Sequence, residues 1–393
     1  MKMPIYMDYN ATTPVDERVL DAMLPCLREQ FGNAASSTHP YGWAAAKLVD
    51  RARASLAAGI GAHPEEIVLT SGATEADNLA VKGVAWASSA RGKHVVTCLT
   101  EHKAVLDACH ALERRGFAVT FLPVDGDGRL DPAQVADAIT AETVLVSVML
   151  ANNEIGTLHP IAAIAAVCRE RGVPFHCDAT QAVGKVRVDV DELGVDLLSF
   201  TAHKIYGPKG VGALYVRRRR PRLQLVPLLD GGGHEQGMRS GTLNVPGAVG
   251  FARALELCRE ELPGEATRLG GLRDRLYTSI TARLDGVTFN GHPTERIPNT
   301  LNLSFAGVDG AALLAGLTEI AVTPGAACTS ADPKPSHVLL ALGRSRDLIN
   351  ATLRFSLGRF STANDVEVAA DAVVREVTRL RAATKPRAVV DPL

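Results

Sequence analysis

The chain has 393 residues, 46% of them hydrophobic and 22% charged, with 42 Lys+Arg against 43 Asp+Glu for a net charge of -1. That length is too great for a single hydrophobic core and sets a prior of about two to three domains. The charge balance gives no general pull toward nucleic acid or acidic membranes, and the short basic run Arg217 to Arg220, with Arg222 beside Pro221, reads as a solvated strand end.

In chain order, the opening "MKMPIYMDYN" lacks the apolar stretch of a signal peptide, and no later segment approaches the ~18 consecutive apolar residues of a membrane span. From about residue 65 to 216 strands and helices alternate. "EIVLT" (66–70) is strand-like, and the apolar positions Ala76, Leu79, Ala80, Gly83, Val84 and Ala87 after it follow helical spacing. Strands "HVVTCL" (94–99) and "FAVTFL" (117–122) flank a helical segment, and "TVLVSVML" (143–150) is apolar throughout. A helix over 161–171 stops at Gly172, and "VPFHC" (173–177), "VDLLSF" (195–200) and "VGALYV" (211–216) complete the series. Near-continuous apolar strands alternating with helices predict an α/β fold with a mostly parallel sheet covered on both faces.

After Pro246 the pattern changes. A helix through "GAVGFARALELCREEL" is expected to break at Pro263 and Gly264, with a second helical stretch over 265–284. Short strands at 299–305 and 352–358 enclose a loop rich in Gly, Pro, Ser and Ala, and a last helix covers about 363–382. This reads as a smaller α+β domain. The expected division is 16–262 for a large domain, with 1–15 and 263–393 forming the small one, and "TKPRAVVDPL" as a loose tail.

In open α/β sheets ligands bind beyond the carboxyl ends of the strands. Five strands here run into polar, chemically able residues: "SGATE", "TEH", "ANNEIG", "DATQ" and "TAHK". Their uniformity predicts one site. "SGATEADN" at a strand-to-helix turn suits an anion, above all a phosphate, because small residues admit close approach and the helix N-terminus offers free N–H groups; N-capping by Ser71 or Thr74 explains it as well when taken alone. Asp178 at a buried strand end needs a cationic partner or several hydrogen bonds. His102 could lie flat on an aromatic ring. Lys204 ends another buried strand, where desolvation disfavours its ammonium form and yields a nucleophilic amine. A lysine near a phosphate site, with a carboxylate for a pyridinium nitrogen, is the set that a pyridoxal phosphate (PLP) enzyme requires.

These motifs resemble those of the cysteine desulfurases, within the class V aminotransferase group of PLP enzymes. The resemblance runs over nearly the whole chain, through "YMDYNATTPVD" (6–16), "FGNAASSTHPYG" (31–42), "SGATEADNLA", "TEHKAVL", "NNEIGT", "CDATQAVGKV", "HKIYGPKGVGALY", "GGGHEQGMRSGT" (231–242), "GAACTS" (325–330) and "RFSLGRF" (354–360). The loop "CTSADPKPSHVL" is similar to that of the branch serving iron–sulfur and nitrogen-fixation clusters. The resemblance implies the fold-type I architecture of PLP-dependent transferases, a seven-stranded sheet and a homodimer. It implies that Lys204 holds PLP, Asp178 pairs with the ring nitrogen, His102 stacks on the ring and Gln181 bonds the phenolic oxygen. Ala73, Thr74, Thr201 and His203 would hold the phosphate, and Thr242 would reach the phosphate of the neighbouring subunit. Asn153 and Arg354 would bind the substrate carboxylate, a task that suits a guanidinium fork. Asn10 and Asn33 lie in motifs that line the family's site, with no step assigned.

Seven cysteines, an odd number without a CxxC pair or other metal spacing, fit a reducing cytosol and no metal site. Six of them fall in helix or strand patterns; Cys328 sits in the small-residue loop "TPGAACTSADPKPS". The implied reaction takes L-cysteine to L-alanine, leaving a persulfide on Cys328 for an acceptor protein, an iron–sulfur scaffold or another sulfur carrier, with Lys204 or His102 moving the α-proton. The chain departs from the family's pattern at Thr201-Ala202, where Ser-Gly is usual, and at Thr323 to Ala327 before the cysteine, where Pro324 fixes one φ angle and removes a donor. An aminotransferase of the same group has no need of a loop cysteine, and a non-catalytic sulfur carrier has no need of Lys204, Asp178 and His102.

Overall fold

The computed structural model describes residues 3–218, 223–324 and 335–384. The chain opens with β1 (Ile5–Tyr6) and two helices, Glu17–Arg28 and Pro40–Ile60. Seven strands follow: β2 (Ile67–Thr70), β3 (His94–Cys98), β4 (Ala118–Leu122), β5 (Thr143–Ser147), β6 (Phe175–Asp178), β7 (Leu197–Thr201) and β8 (Gly212–Val216). They form one sheet in the order β2-β8-β7-β6-β5-β3-β4. Only β8 runs against its neighbours, antiparallel to both β2 and β7.

The period of two explains why both faces are covered. Val96, Val146 and Leu198 face one apolar cluster, while the adjacent Val95, Leu145 and Leu197 face another. Helix Ala73–Ala87 packs across β5 to β8 on the second face, and every residue of β5, β6, β7 and β8 is buried. The edge strand β4 is part-exposed, as an edge must be.

The expected break at Pro263 does not occur. One helix runs from Val245 to Thr281 with Pro263 inside it. Its first half buries Phe251, Leu255 and Cys258 in the core shared with helix Pro40–Ile60, and its second half buries Leu269, Leu276 and Ile280 in a separate cluster. Packing at both ends holds the axis while Pro263 and Gly264 face solvent, so the missing hydrogen bond costs less than unwinding would. The expected boundary at 262/263 therefore falls within a continuous helix. Beyond it, β9 (Val287–Phe289), β10 (Thr300–Phe305) and β12 (Thr352–Ser356) make an antiparallel sheet ordered β12-β10-β9, and β11 (Ile320–Ala321) pairs with β1. The helix Ala363–Thr384 closes this second cluster with Val366, Val373 and Val377.

Candidate active site

A cavity of about 530 Å3 opens at the carboxyl ends of the central strands. Its lining brings together Ala73, Thr74, His102, Asn153, Asp178, Gln181, Thr201, His203, Lys204 and Arg354, with Asn10 from the N-terminal segment. Thr242 lines a separate neighbouring pocket, and Asn33 is exposed and lines neither. Cys328 lies outside the described residues.

Lys204 closes the single turn Ala202–Lys204 directly after β7. Its Nζ donates to the carbonyls of Asn10 at 2.5 Å and Ala11 at 2.7 Å. Burial is the main cause lowering its pKa to about 8, the Arg354 charge adds to this, and Asp8 and Asp178 oppose it. The neutral, nucleophilic form thus gains population through about pH 8 rather than near the ordinary 10.5. On coenzyme-free protein, the rate of aldehyde capture by this amine should rise with pH through about 8 and level off above it. Rate measurements showing a single inflection at the ordinary lysine value would contradict the desolvated setting.

Asp178 ends β6 and is 4% exposed. Its Oδ1 accepts the Thr180 N–H at 2.9 Å, and no ion pair to it exists among the described residues. A buried carboxylate facing a cavity without a cation fits a protonated ring nitrogen. Thr180, which also lines the cavity, carries a buried hydroxyl without a hydrogen-bond partner.

At the end of β2, Gly72 caps helix Ala73–Ala87 with a φ of 154° and no side-chain cap bond. The N-capping expected of Ser71 or Thr74 is absent; instead Glu75 Oε2 accepts the Ser71 N–H at 2.7 Å, and Arg239 holds Glu75. The first N–H groups of the helix are left for an anion. A side chain at Gly212 would strike the Gly72 backbone at 2.7 Å, so β8 needs glycine there for the turn to close. Thr201 is placed against this turn, with its hydroxyl donating to Val211 O at 2.9 Å. The ring of His203 is kept neutral by burial, its pKa lowered to about 4. The free N–H groups of the helix and the unpaired Asp178 together fit a phosphorylated pyridine aldehyde.

His102 is the N-cap of helix Lys103–Glu113, where its Nδ1 accepts the Ala104 N–H at 3.1 Å. The neutral ring therefore carries its proton on Nε2. Burial lowers its pKa, Asp178 raises it and Lys204 lowers it further. Arg354, 1% exposed on β12, donates through Nη2 to Asp8 at 2.6 Å and through Nη1 to Asn153 O at 3.1 Å. Breaking a buried pair strands a charge, so Asp8→Asn should lower the denaturation midpoint through a loss of about 3 kcal/mol. Chemical denaturation of the variant beside the parent checks this; an unchanged midpoint would mean the pair contributes nothing.

Several residues in or behind the site have no signature in the sequence. Asp77 sits one helical turn behind the anion site, and burial together with the Asp178 and Glu101 charges pushes its carboxyl well above the usual range. His176 lies 3.7 Å from it and stays neutral, its pKa lowered by burial to about 3. Asp8 is separated from Arg354 by most of the chain and Lys185 from Asn10 by 175 residues, and a "GK" or a "DYN" carries no periodic signal. The helical position of Asp77, on the face of Ala76 and Ala80, was the one available clue.

The segment that carries Cys328 is anchored at both roots beside the cavity. Thr323 O accepts the Arg354 N–H at 2.8 Å. On the other side Ser336 bonds Glu154 Oε2 at 2.5 Å, and His337 Nε2 bonds Glu101 O at 2.9 Å. The six described cysteines are free and buried, and burial pushes the thiols of Cys98, Cys109, Cys168 and Cys258 up to about 12.

Comparison with known proteins agrees with this geometry. The Aminotransferase class-V family matches residues 5–368. A protein of Anaeromyxobacter dehalogenans named cysteine desulfurase IscS is 58% identical over 97% of this chain and 94% of its own. Its namesake from Pseudomonas aeruginosa is 52% identical over the same shares. Among solved structures, one titled NifS-like protein superposes with a TM-score of 0.89 at 36% identity, covering 96% of this chain and 100% of that one. Another, titled SspA in complex with cysteine, has a TM-score of 0.81 at 37% identity, covering 91% and 100%.

Proposed function

The chain belongs to the class-V aminotransferase family of PLP enzymes, and from that premise we propose that it is a cysteine desulfurase, which turns L-cysteine into L-alanine and leaves the sulfur as a persulfide on Cys328. The observation that carries the reading is the convergence of Lys204, an unpaired buried Asp178 and an uncapped helix N-terminus on one cavity. When bound, PLP supplies an aldehyde for an amine and a ring that accepts electrons.

The residues around it have separable tasks in this proposal. Lys204 holds the coenzyme's aldehyde carbon, Asp178 offsets the ring nitrogen's charge, and Gln181 faces the phenolic oxygen. Ala73, Thr74, Thr201 and His203 would hold the phosphate, and His102 would stack on the ring. Thr242 belongs to the site of a second subunit. Arg354 and Asn153 orient the substrate carboxylate, for which a carboxylate must compete with Asp8. Once the substrate's amine has displaced Lys204 from the aldehyde carbon, the freed Nζ, whose pKa burial lowers to about 8, would take the substrate α-proton. The Cys328 thiolate attacks the substrate sulfur. A sulfur–sulfur bond forms, the sulfur–Cβ bond breaks, and the electron pair left on Cβ takes up a proton as alanine departs.

We take the enzyme to be a homodimer, supported by the exposed Phe31, Tyr41 and Trp43, at 66%, 58% and 56%. A sulfur-acceptor protein, a scaffold for iron–sulfur clusters or another carrier, is the natural second partner. The free cysteines suit a reducing cytosol, and among the described residues no helix is long and apolar enough to cross a membrane. Purified protein given sulfur-labelled L-cysteine should release alanine and retain label that a thiol reductant removes. Pyruvate, or an amino-group acceptor requirement, in place of alanine would point to another reaction of the family.

A further inference from the structure

Lys185 stands behind the cavity rather than in it, half-buried in the turn after Gln181. Its Nζ makes two hydrogen bonds, to Gln181 Oε1 at 2.5 Å and to Asn10 Oδ1 at 3.1 Å. No carboxylate pairs with it among the described residues. Desolvation pushes its pKa well below the ordinary value, and the charges of Lys204 and Arg354 push the same way, with Cys258 opposing. An amine set among other cations without a counter-charge is a poor stabiliser of a fold. Its two acceptors show what it does instead.

Asn10 is the point where these groups meet. Its carbonyl accepts from Lys204 Nζ at 2.5 Å and from Gln181 Nε2 at 2.9 Å. Its side chain accepts from Lys185 and from Asn299 Nδ2 at 3.1 Å, and donates to Thr300 Oγ1 at 2.8 Å. With Oε1 drawn back to Lys185, the Gln181 amide presents Nε2 to the Asn10 carbonyl that also accepts from Lys204, on a residue that lines the cavity. An amide has two nearly isosteric ends, and an N–H donor committed to one side decides which end takes the other.

We propose that Lys185 is a positioning residue that fixes the Gln181 amide, so that an N–H donor rather than a carbonyl oxygen faces the phenolic oxygen of the bound coenzyme. The inference rests on the PLP reading above. It makes Lys185 and Gln181 one unit, in which Lys185 never touches coenzyme or substrate. An N–H directed at that oxygen favours its ionised form, so loosening the amide raises the pH at which the coenzyme's visible absorbance titrates.

The test is a pH titration of that absorbance in the holoenzyme, with thermal melting recorded alongside. Lys185→Met should move the midpoint up by about one unit. Lys185→Arg, which keeps a donor for Oε1, should restore most of the shift. Adding Lys185→Met to Gln181→Met should add little further, because the amide is the route from Lys185 to the coenzyme and its other bond goes to Asn10 Oδ1. A Lys185→Met titration that overlays the parent's, or an additive double variant, overturns the role. Where Lys185→Met does not fold, Lys185→Gln is read instead: a smaller upward shift supports the role and none overturns it. A parent protein without any visible band removes the PLP reading itself, and the two failures are thereby distinct.

Discussion

Lys204→Ala should yield a folded protein to which borohydride fixes no coenzyme and in which alanine formation falls by about 10^3- to 10^4-fold or more. The expectation follows from where the amine sits. Its two hydrogen-bond partners are backbone carbonyls of Asn10 and Ala11, and its surroundings disfavour the ammonium form, so its pKa lies at about 8. Removing a group that the fold does not prefer in charged form costs little stability; the two freed carbonyls border a cavity that water can fill. The residues proposed to hold the phosphate, Ala73, Thr74, Thr201 and His203, are untouched, so coenzyme should still bind, reversibly, and wash out on dialysis. Lys209 also lines the cavity, and Lys185 stands behind it with its hydrogen bonds turned to Gln181 and Asn10. Borohydride labelling followed by peptide mapping decides the matter: label on any other lysine would move the reactive amine away from Lys204.

The large sheet was readable because its strands are apolar without interruption and its helices are spaced at 3.6 residues, and each of its seven strands overlaps an expected run, whereas the short β1, β9 and β11 were not foreseen. The polar residues at the strand ends were equally visible, since chain order alone places them at one edge of a parallel sheet. Pro263 misled because local propensity favours a break, whereas packing on both sides of the residue keeps the helix whole. What the sequence could not reveal is the set of contacts bridging distant segments. Asp8 meets Arg354 across almost the entire chain, and Asn10 collects Lys185, Gln181, Lys204, Asn299 and Thr300 around a single residue. Such hubs have no periodicity and no spacing rule; they exist only once the N-terminal segment is laid across the mouth of the large sheet.

Cys328→Ser is the second change with a large expected effect. The variant should keep the coenzyme's colour and its titration yet lose alanine formation by roughly 10^4-fold or more, the scale on which an enzyme loses rate with its nucleophile. The separation of the two properties is the informative part. None of the groups proposed to hold coenzyme lies in the 325–334 segment, while both of its roots bond to residues beside the cavity, Arg354 and Glu154 among them. No other described cysteine can stand in, since all six are buried and four have thiols held near 12, far from a thiolate at neutral pH. A serine hydroxyl is not a thiolate and forms no persulfide, so the sulfur–Cβ bond of the substrate should remain intact. Cofactor absorbance, alanine output and protein-bound sulfur measured on one preparation give the result: colour without product supports Cys328 as the sulfur acceptor of the first step, whereas alanine at the parent rate would mean that sulfur leaves the substrate by another route.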